Sequence, residues 1–144
     1  MDKLQRKLCD VQGKIFELSC KDEYDSKEFI TKFMKSDIAR GLDDDYNRAQ
    51  WAGEAYLYGD FADNNSISKG VVFDKEILYW IGYIYRFWHY YTRESSKTIL
   101  KQAGPATMCE NYYMFHTMDP VIAIQNLKEI NTQTQKQHKT KKST

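Results

Sequence analysis

The chain has 144 residues, 42% of them hydrophobic and 15% aromatic, with a formal net charge of +1. That length gives one domain with a core of its own and excludes two comfortable ones. The near-neutral charge excludes a general pull toward nucleic acid or membrane, and two prolines with seven glycines favour long helices over a strand-rich sandwich. The charge is unevenly placed. Residues 131–144 hold four lysines and no acid, which leaves −3 on the rest by subtraction from +1.

Three cysteines, Cys9, Cys20 and Cys109, are an odd number and read as reduced thiols. The start, MDKLQRKL, has no apolar signal region. The longest apolar stretch, near 77–91, contains Arg86 and His89 and is too short and polar to span a bilayer. A cytoplasmic protein without membrane association is expected.

In chain order, residues 2–20 predict a first helix, with Leu4, Leu8, Val11, Ile15 and Leu18 at heptad spacing. That narrow seam suits an internal helix pair, and a homodimeric coil is the alternative. Gly13 lies in its middle, at a cost of about 1 kcal/mol relative to alanine. Asp25 or Ser26 caps a second helix with Phe29, Ile30, Phe33, Met34 and Ile38 inward and Gly41 as terminator. A third helix is expected from about Asp45 to Tyr58. The Asp43–Asp45 run would complement its dipole, since its spacing does not suit a calcium loop. Tyr46, Ala49, Ala52, Gly53 and Tyr56 would form a face for close helix approach. Trp51 lies off that line and is expected to be partly exposed. Residues 59–73 read as a long irregular loop, with Phe73 as a staple before the capping residue Asp74.

The centre of the chain is 74–93, where eight of thirteen residues from Tyr79 to Tyr91 are aromatic. At helical period, Ile77, Trp80, Ile81, Ile84, Phe87, Trp88 and Tyr91 share an arc of roughly 120° and make a core face. The other arc carries Tyr79, Gly82, Tyr83, Arg86, His89, Tyr90 and Arg93. It supports two readings. The helix is covered on both sides, with Arg86 paired to an acid from elsewhere. Or the face is a recognition surface, because Tyr, Trp and Arg bury much area while keeping a polar tip.

Beyond it, Thr92 and Ser95 can each cap a helix that Gly104-Pro105 stops. A short helix from Pro105 through Tyr113 and a last helix over 120–130, capped by Asp119, complete the pattern. The remainder, 131–144, is expected to be a disordered basic tail beyond a single domain at 1–130.

No phosphate loop, HExxH, CxxC or nucleophile elbow occurs. His89, His116 and Cys109 match no zinc spacing. No metal and no cofactor is expected. Arg86, His89 and Glu94 are the best candidates for an unconventional acid/base site.

The runs WIGYIYRFWHYYTRESSKTILKQA (80–103) and ENYYMFHTMDPVIAIQNLKEI (110–130) resemble a group of small uncharacterised proteins of Firmicutes and related gut bacteria. That group has a YIYRYWH-like core, an ESSK-like patch and an FHTMDP-like connector. The resemblance implies a toxin–antitoxin-like setting and no defined activity. It singles out Arg86, Trp88, His89, Glu94, Ser95, Ser96, Lys97, His116 and Asp119. Arg93 stands where that pattern implies a helix-ending glycine.

The expectation is an all-α bundle of five to seven helices around 74–93, acting as an antitoxin-like regulatory protein that binds another protein, such as a toxin. The binding residues would be Tyr79, Tyr83, Arg86, His89, Tyr90, Arg93, Glu94, Ser95, Ser96, Lys97 and His116. The alternatives are a nucleic-acid regulator using Arg86, Arg93 and the lysine tail, and an enzyme with an Arg/His/Glu site.

Overall fold

The structure is a computed structural model that describes residues 1–142, with side chains through His138. Among the described residues there are nine α-helices, one 3₁₀ turn and no strand, so the chain is all-α. The helices are α1 (Lys3–Leu18), α2 (Ser26–Met34), α3 (Asp37–Asp43), α4 (Glu54–Asn64), α5 (Lys75–Thr92), α6 (Ser96–Gln102), α7 (Pro105–Glu110), α8 (Tyr112–Phe115) and α9 (Pro120–Lys142). The 3₁₀ turn is Arg48–Trp51.

Helix α5 is the axis of the bundle, and its chief neighbour is α1. The two run antiparallel: Glu17 faces Lys75, Gly13 faces Tyr79 and Gly82, and Gln12 faces Arg86. Two glycines allow the close approach. A Cβ on Gly82 would lie 2.6 Å from the Gln12 carbonyl oxygen and 2.9 Å from the Gly13 Cα. Gly13, which weakens an isolated helix, therefore serves the packing. Phe16, Phe29, Phe33 and Phe61 then join α1, α2 and α4 through edge-to-face contacts, with centroids 5.2–5.9 Å apart.

Several expected boundaries move. The second helix does not reach Gly41. It ends at Met34, and Ser36 caps α3, accepting from the Ala39 N–H at 3.2 Å. Gly41 lies inside α3. The expected helix over 45–58 is replaced by the end of α3, the 3₁₀ turn and a new helix that Gly53 enters at φ +83°. That backbone state favours glycine. The Asp43–Asp45 run thus closes α3 and opens no helix. Helix α4 continues to Asn64, so the irregular segment is shorter than 59–73. It is tied down: Phe73 N–H donates to Ser26 Oγ at 2.8 Å and Val71 N–H to Asp25 at 3.1 Å. Asp74 precedes α5 and makes no side-chain cap bond.

On α5 the core face holds except at its end. Ile77, Trp80, Ile81, Ile84 and Trp88 are buried, Phe87 is half-buried and Tyr91 is exposed. Tyr85, in neither arc, is fully buried and donates to the Ala103 carbonyl at 2.6 Å. The last helix does not stop at 130 but continues to Lys142. From Thr132 to His138 every side chain is exposed, so this extension is held by local helix contacts. Ser143 and Thr144 of the expected tail lie outside the described residues.

Candidate functional site

The chemistry-bearing residues of α5 meet in a buried polar node. Arg86 is wholly buried. Its Nε donates to Gln12 Oε1 at 2.9 Å, Nη1 to Asp43 Oδ1 at 2.7 Å, and Nη2 to Ser96 Oγ at 3.2 Å. Asp43 is completed by the Ser96 hydroxyl and the Ser96 backbone N–H, each at 2.8 Å. One guanidinium and one carboxylate thus tie α1, α3, α5 and α6 together. Asp43 also sits at the N-terminus of α6, where the first free N–H groups and the helix dipole favour an anion. The aspartate that was expected to open a third helix complements a helix more than fifty residues later.

Why the chain builds this node is plain from local structure. Ser95 caps α6, accepting from the Thr98 N–H at 3.2 Å, which leaves the next N–H, that of Ser96, directed at Asp43. Gln12 holds both sides of the α1–α5 contact. It accepts from Arg86 and donates to the Gly82 carbonyl at 3.0 Å. A buried charge pair gains little net stability over apolar packing, but removal of either partner leaves the other uncompensated.

His89 borders the node without completing it. Its Nδ1 lies 2.7 Å from the Glu94 carbonyl oxygen. A carbonyl only accepts, so Nδ1 carries the proton and Nε2 is the basic nitrogen. Burial, with Arg86 adding to it, holds the imidazole below its usual pKa, so His89 is neutral and its 3.6 Å approach to Asp43 is no ion pair. Nε2 of His89 and Oη of Tyr90 are buried and have no hydrogen-bond partner among the described residues. Burial also pushes the Tyr90 phenol up to about 12.

Glu94 forms a second cluster. Burial alone would raise its pKa. The ammonium of Lys128 at 2.6 Å and the Trp88 and Gln102 N–H donors at 3.0 and 2.6 Å outweigh it and draw the carboxyl down to about 2. Its carboxylate is therefore committed to α5, α6 and α9. Arg86, His89 and Glu94 do not converge into one acid/base site. Ser96, Asp43 and His89 do not form a nucleophilic relay either, because Asp43 bridges where a histidine would have to.

The other expected site residues are spread. Tyr79, Tyr83 and Tyr90 are half-buried beside α1. Tyr79 donates to Asp10 Oδ1 at 2.5 Å. Arg93, Ser95 and Lys97 are exposed at the α5–α6 junction, and Arg93 pairs with Asp45 at 2.5 Å. His116 is exposed and stacks on Tyr112, with centroids 4.3 Å apart. The α5 face read as a recognition surface is therefore covered by α1, and Arg86 cannot reach a partner or a phosphate. Arg93 does not extend the helix. It ends it in the left-handed conformation, φ 65°, with its N–H bonded to the His89 carbonyl.

Sequence reasoning expected Trp51 to be partly exposed but placed Tyr46 and Tyr56 in a packed face. Tyr46, Trp51 and Tyr56 are 94%, 72% and 67% exposed. Tyr46 and Tyr56 were expected to pack against a helix, but the break at Gly53 separates them from any common helical face. The surrounding segment, 37–63, carries seven acids (Asp37, Asp43, Asp44, Asp45, Glu54, Asp60 and Asp63) and two arginines, a net −5. Aromatic residues spaced through a strongly charged segment were the available signal. Comparison with protein-family models, curated proteins and solved structures finds no match to this chain.

Proposed function

We propose that this chain is an antitoxin-like regulatory protein that binds and occludes a basic partner protein through the acidic segment 37–63 and its exposed aromatic side chains. The observation that supports this reading is the exposure of Tyr46, Trp51 and Tyr56 within a segment of net charge −5. Tyrosine and tryptophan are the residues most enriched among those that dominate binding energy, and they supply rigid contact area with a polar tip. Apart from Asp43, which is committed to Arg86 and Ser96, the carboxylates of this segment would steer a basic surface into register and repel acidic ones. A basic toxin surface is the partner class that this pattern fits.

The α5 face expected to serve recognition does not do so for a physical reason. Arg86 is satisfied by groups from other helices, and Arg93 pairs with Asp45. Arg86 is spent on Gln12, Asp43 and Ser96, which also removes the main residue of a nucleic-acid reading.

The test is affinity purification of the tagged full chain from its native host, with wild type beside Trp51→Ser and Tyr46→Ser. Both side chains are exposed, so both variants should fold, which circular dichroism checks. A stoichiometric basic protein that is kept by wild type, lost from both variants and weakened by salt is the expected result. A partner that both variants retain, or one of acidic surface, would overturn the assignment.

A further inference from the structure

We infer that the cleft between α1, α5 and α8 is a binding site for an organic cation bearing an ammonium or guanidinium group. The cleft has a volume of about 530 Å³, enough for a small ligand or a long side chain. One wall is aromatic. Tyr79 and Trp80 come from α5, and Tyr112 meets Trp80 nearly perpendicularly, 81° between planes with centroids 5.7 Å apart. His116 extends that wall by stacking on Tyr112. Asp10, Glu17 and Glu76 also line the cleft, and no lysine or arginine does.

These features select a ligand class. Aromatic faces attract cations through their quadrupole, most strongly where water is excluded. The carboxylate of Glu76, unpaired among the described residues and beside two carboxylates already paired with Lys14 and Lys75, disfavours an anion. A bare metal ion is disfavoured too, because no three His, Cys, Asp or Glu side chains among the described residues converge closely enough to hold one. The remaining match is an extended cation whose charge is spread over carbon or nitrogen substituents. The acids are prepared for it to different degrees. Burial would raise the pKa of Asp10, but the Tyr79 hydroxyl and Lys14 at 3.0 Å together outweigh that effect and lower it. Glu17 faces Lys75 at 3.6 Å. Glu76 sits on the exposed first turn of α5 and has no ion pair or side-chain hydrogen bond among the described residues, so its charge is available.

The group could belong to a lysine or arginine side chain of another protein or to a free polyamine. The chemistry is the same in both. This inference is independent of the face at Trp51, and either can fail while the other stands.

The experiment is an NMR titration of the full chain, read at the Trp80 indole N–H and assigned with Trp80→Phe. The probes are choline, butylguanidinium and the neutral isostere of choline, 3,3-dimethylbutan-1-ol. Saturable shifts with both cations and none with the isostere are expected. Glu76→Gln should weaken choline by about fivefold through loss of one nearby charge, and Tyr112→Leu by about as much through loss of a ring face. Glu129→Gln, on α9, should bind as wild type. If Tyr112→Leu does not fold, Glu76→Gln decides, since its side chain is exposed. Absence of a saturable shift, equal shifts from the neutral isostere, or unweakened binding by Glu76→Gln would each overturn the site. Arms with N-acetyl-lysinamide, N-acetyl-argininamide and spermidine then identify the source. Binding of the amino-acid amides alone points to a protein side chain, and binding of spermidine alone to a free polyamine.

Discussion

Gly82 lies against Gly13 so closely that a methyl group added to Gly82 would come within 2.9 Å of the Gly13 Cα and 2.6 Å of the Gln12 carbonyl oxygen. The obstacle is backbone, which cannot swing aside. Gly82→Ala should therefore force α1 and α5 apart and cost about 1–3 kcal/mol, more than the helix propensity it gains. Gly59, inside α4, has nothing within 4 Å of its added Cβ. Gly59→Ala should stabilise by about 0.5–1 kcal/mol. Urea denaturation of the two variants should show midpoints moving in opposite directions.

The Arg86–Asp43 pair should behave as one unit. Asp43→Asn and Arg86→Met should each destabilise by about 3–5 kcal/mol, because each leaves the partner buried and uncompensated. Ser96→Ala should cost less, about 1–2 kcal/mol, since Asp43 keeps Arg86 and the backbone N–H. A double-mutant cycle on Arg86 and Asp43 measures the coupling. Additive losses would show that the two charges do not depend on each other.

Acid should weaken the fold in two stages. The folded pKa of His89 is depressed by burial, so the unfolded chain binds that proton more readily. Its contribution is fully present above the unfolded value of roughly 6.5 and is lost as pH falls through the folded pKa. Glu94 follows, with a folded pKa of about 2. Its contribution is present above roughly 4.5 and fades toward pH 2, a loss of about 2 kcal/mol after allowance for partial exposure. Chemical denaturation across pH should show both limbs. His89→Gln should flatten the upper one and Glu94→Gln the lower.

Arg93 should be a site of removable strain. It holds φ 65° without being glycine, at a cost of about 1 kcal/mol. Its ion pair with Asp45 is between side chains more than half exposed, which returns little. Arg93→Gly should stabilise by up to about 1 kcal/mol, whereas Arg93→Ala keeps the strain, loses the pair and should be neutral or slightly destabilising. Thermal melts of the two variants separate these effects. The glycine implied at this position by the resemblance is the residue that the geometry prefers.

Local rules accounted for much of the fold. The heptad seam of α1, the stripe of α2, the aromatic core face of α5, the Ser95 cap and the Asp119-Pro120 start were all legible from spacing and capping chemistry. So was the possibility that α5 is covered on both sides with Arg86 paired to a distant acid. Which acid was not legible. Asp43 and Arg86 are brought together by the packing of α3 against α5 and α6, and no periodicity relates positions 43, 86 and 96. The break at Ser36 and the left-handed Gly53 were missed for a related reason. A continuous apolar pattern does not reveal where the chain must turn to bring Phe29 and Phe33 onto Phe16 and Phe61. By itself the sequence determined α1, α5 and the starts of α2, α6 and α9 with their apolar residues, because those depend on residues a turn or two apart. Only the tertiary structure decided that Arg86 is buried while Tyr46 and Tyr56 are exposed, because burial depends on which distant helix covers a face.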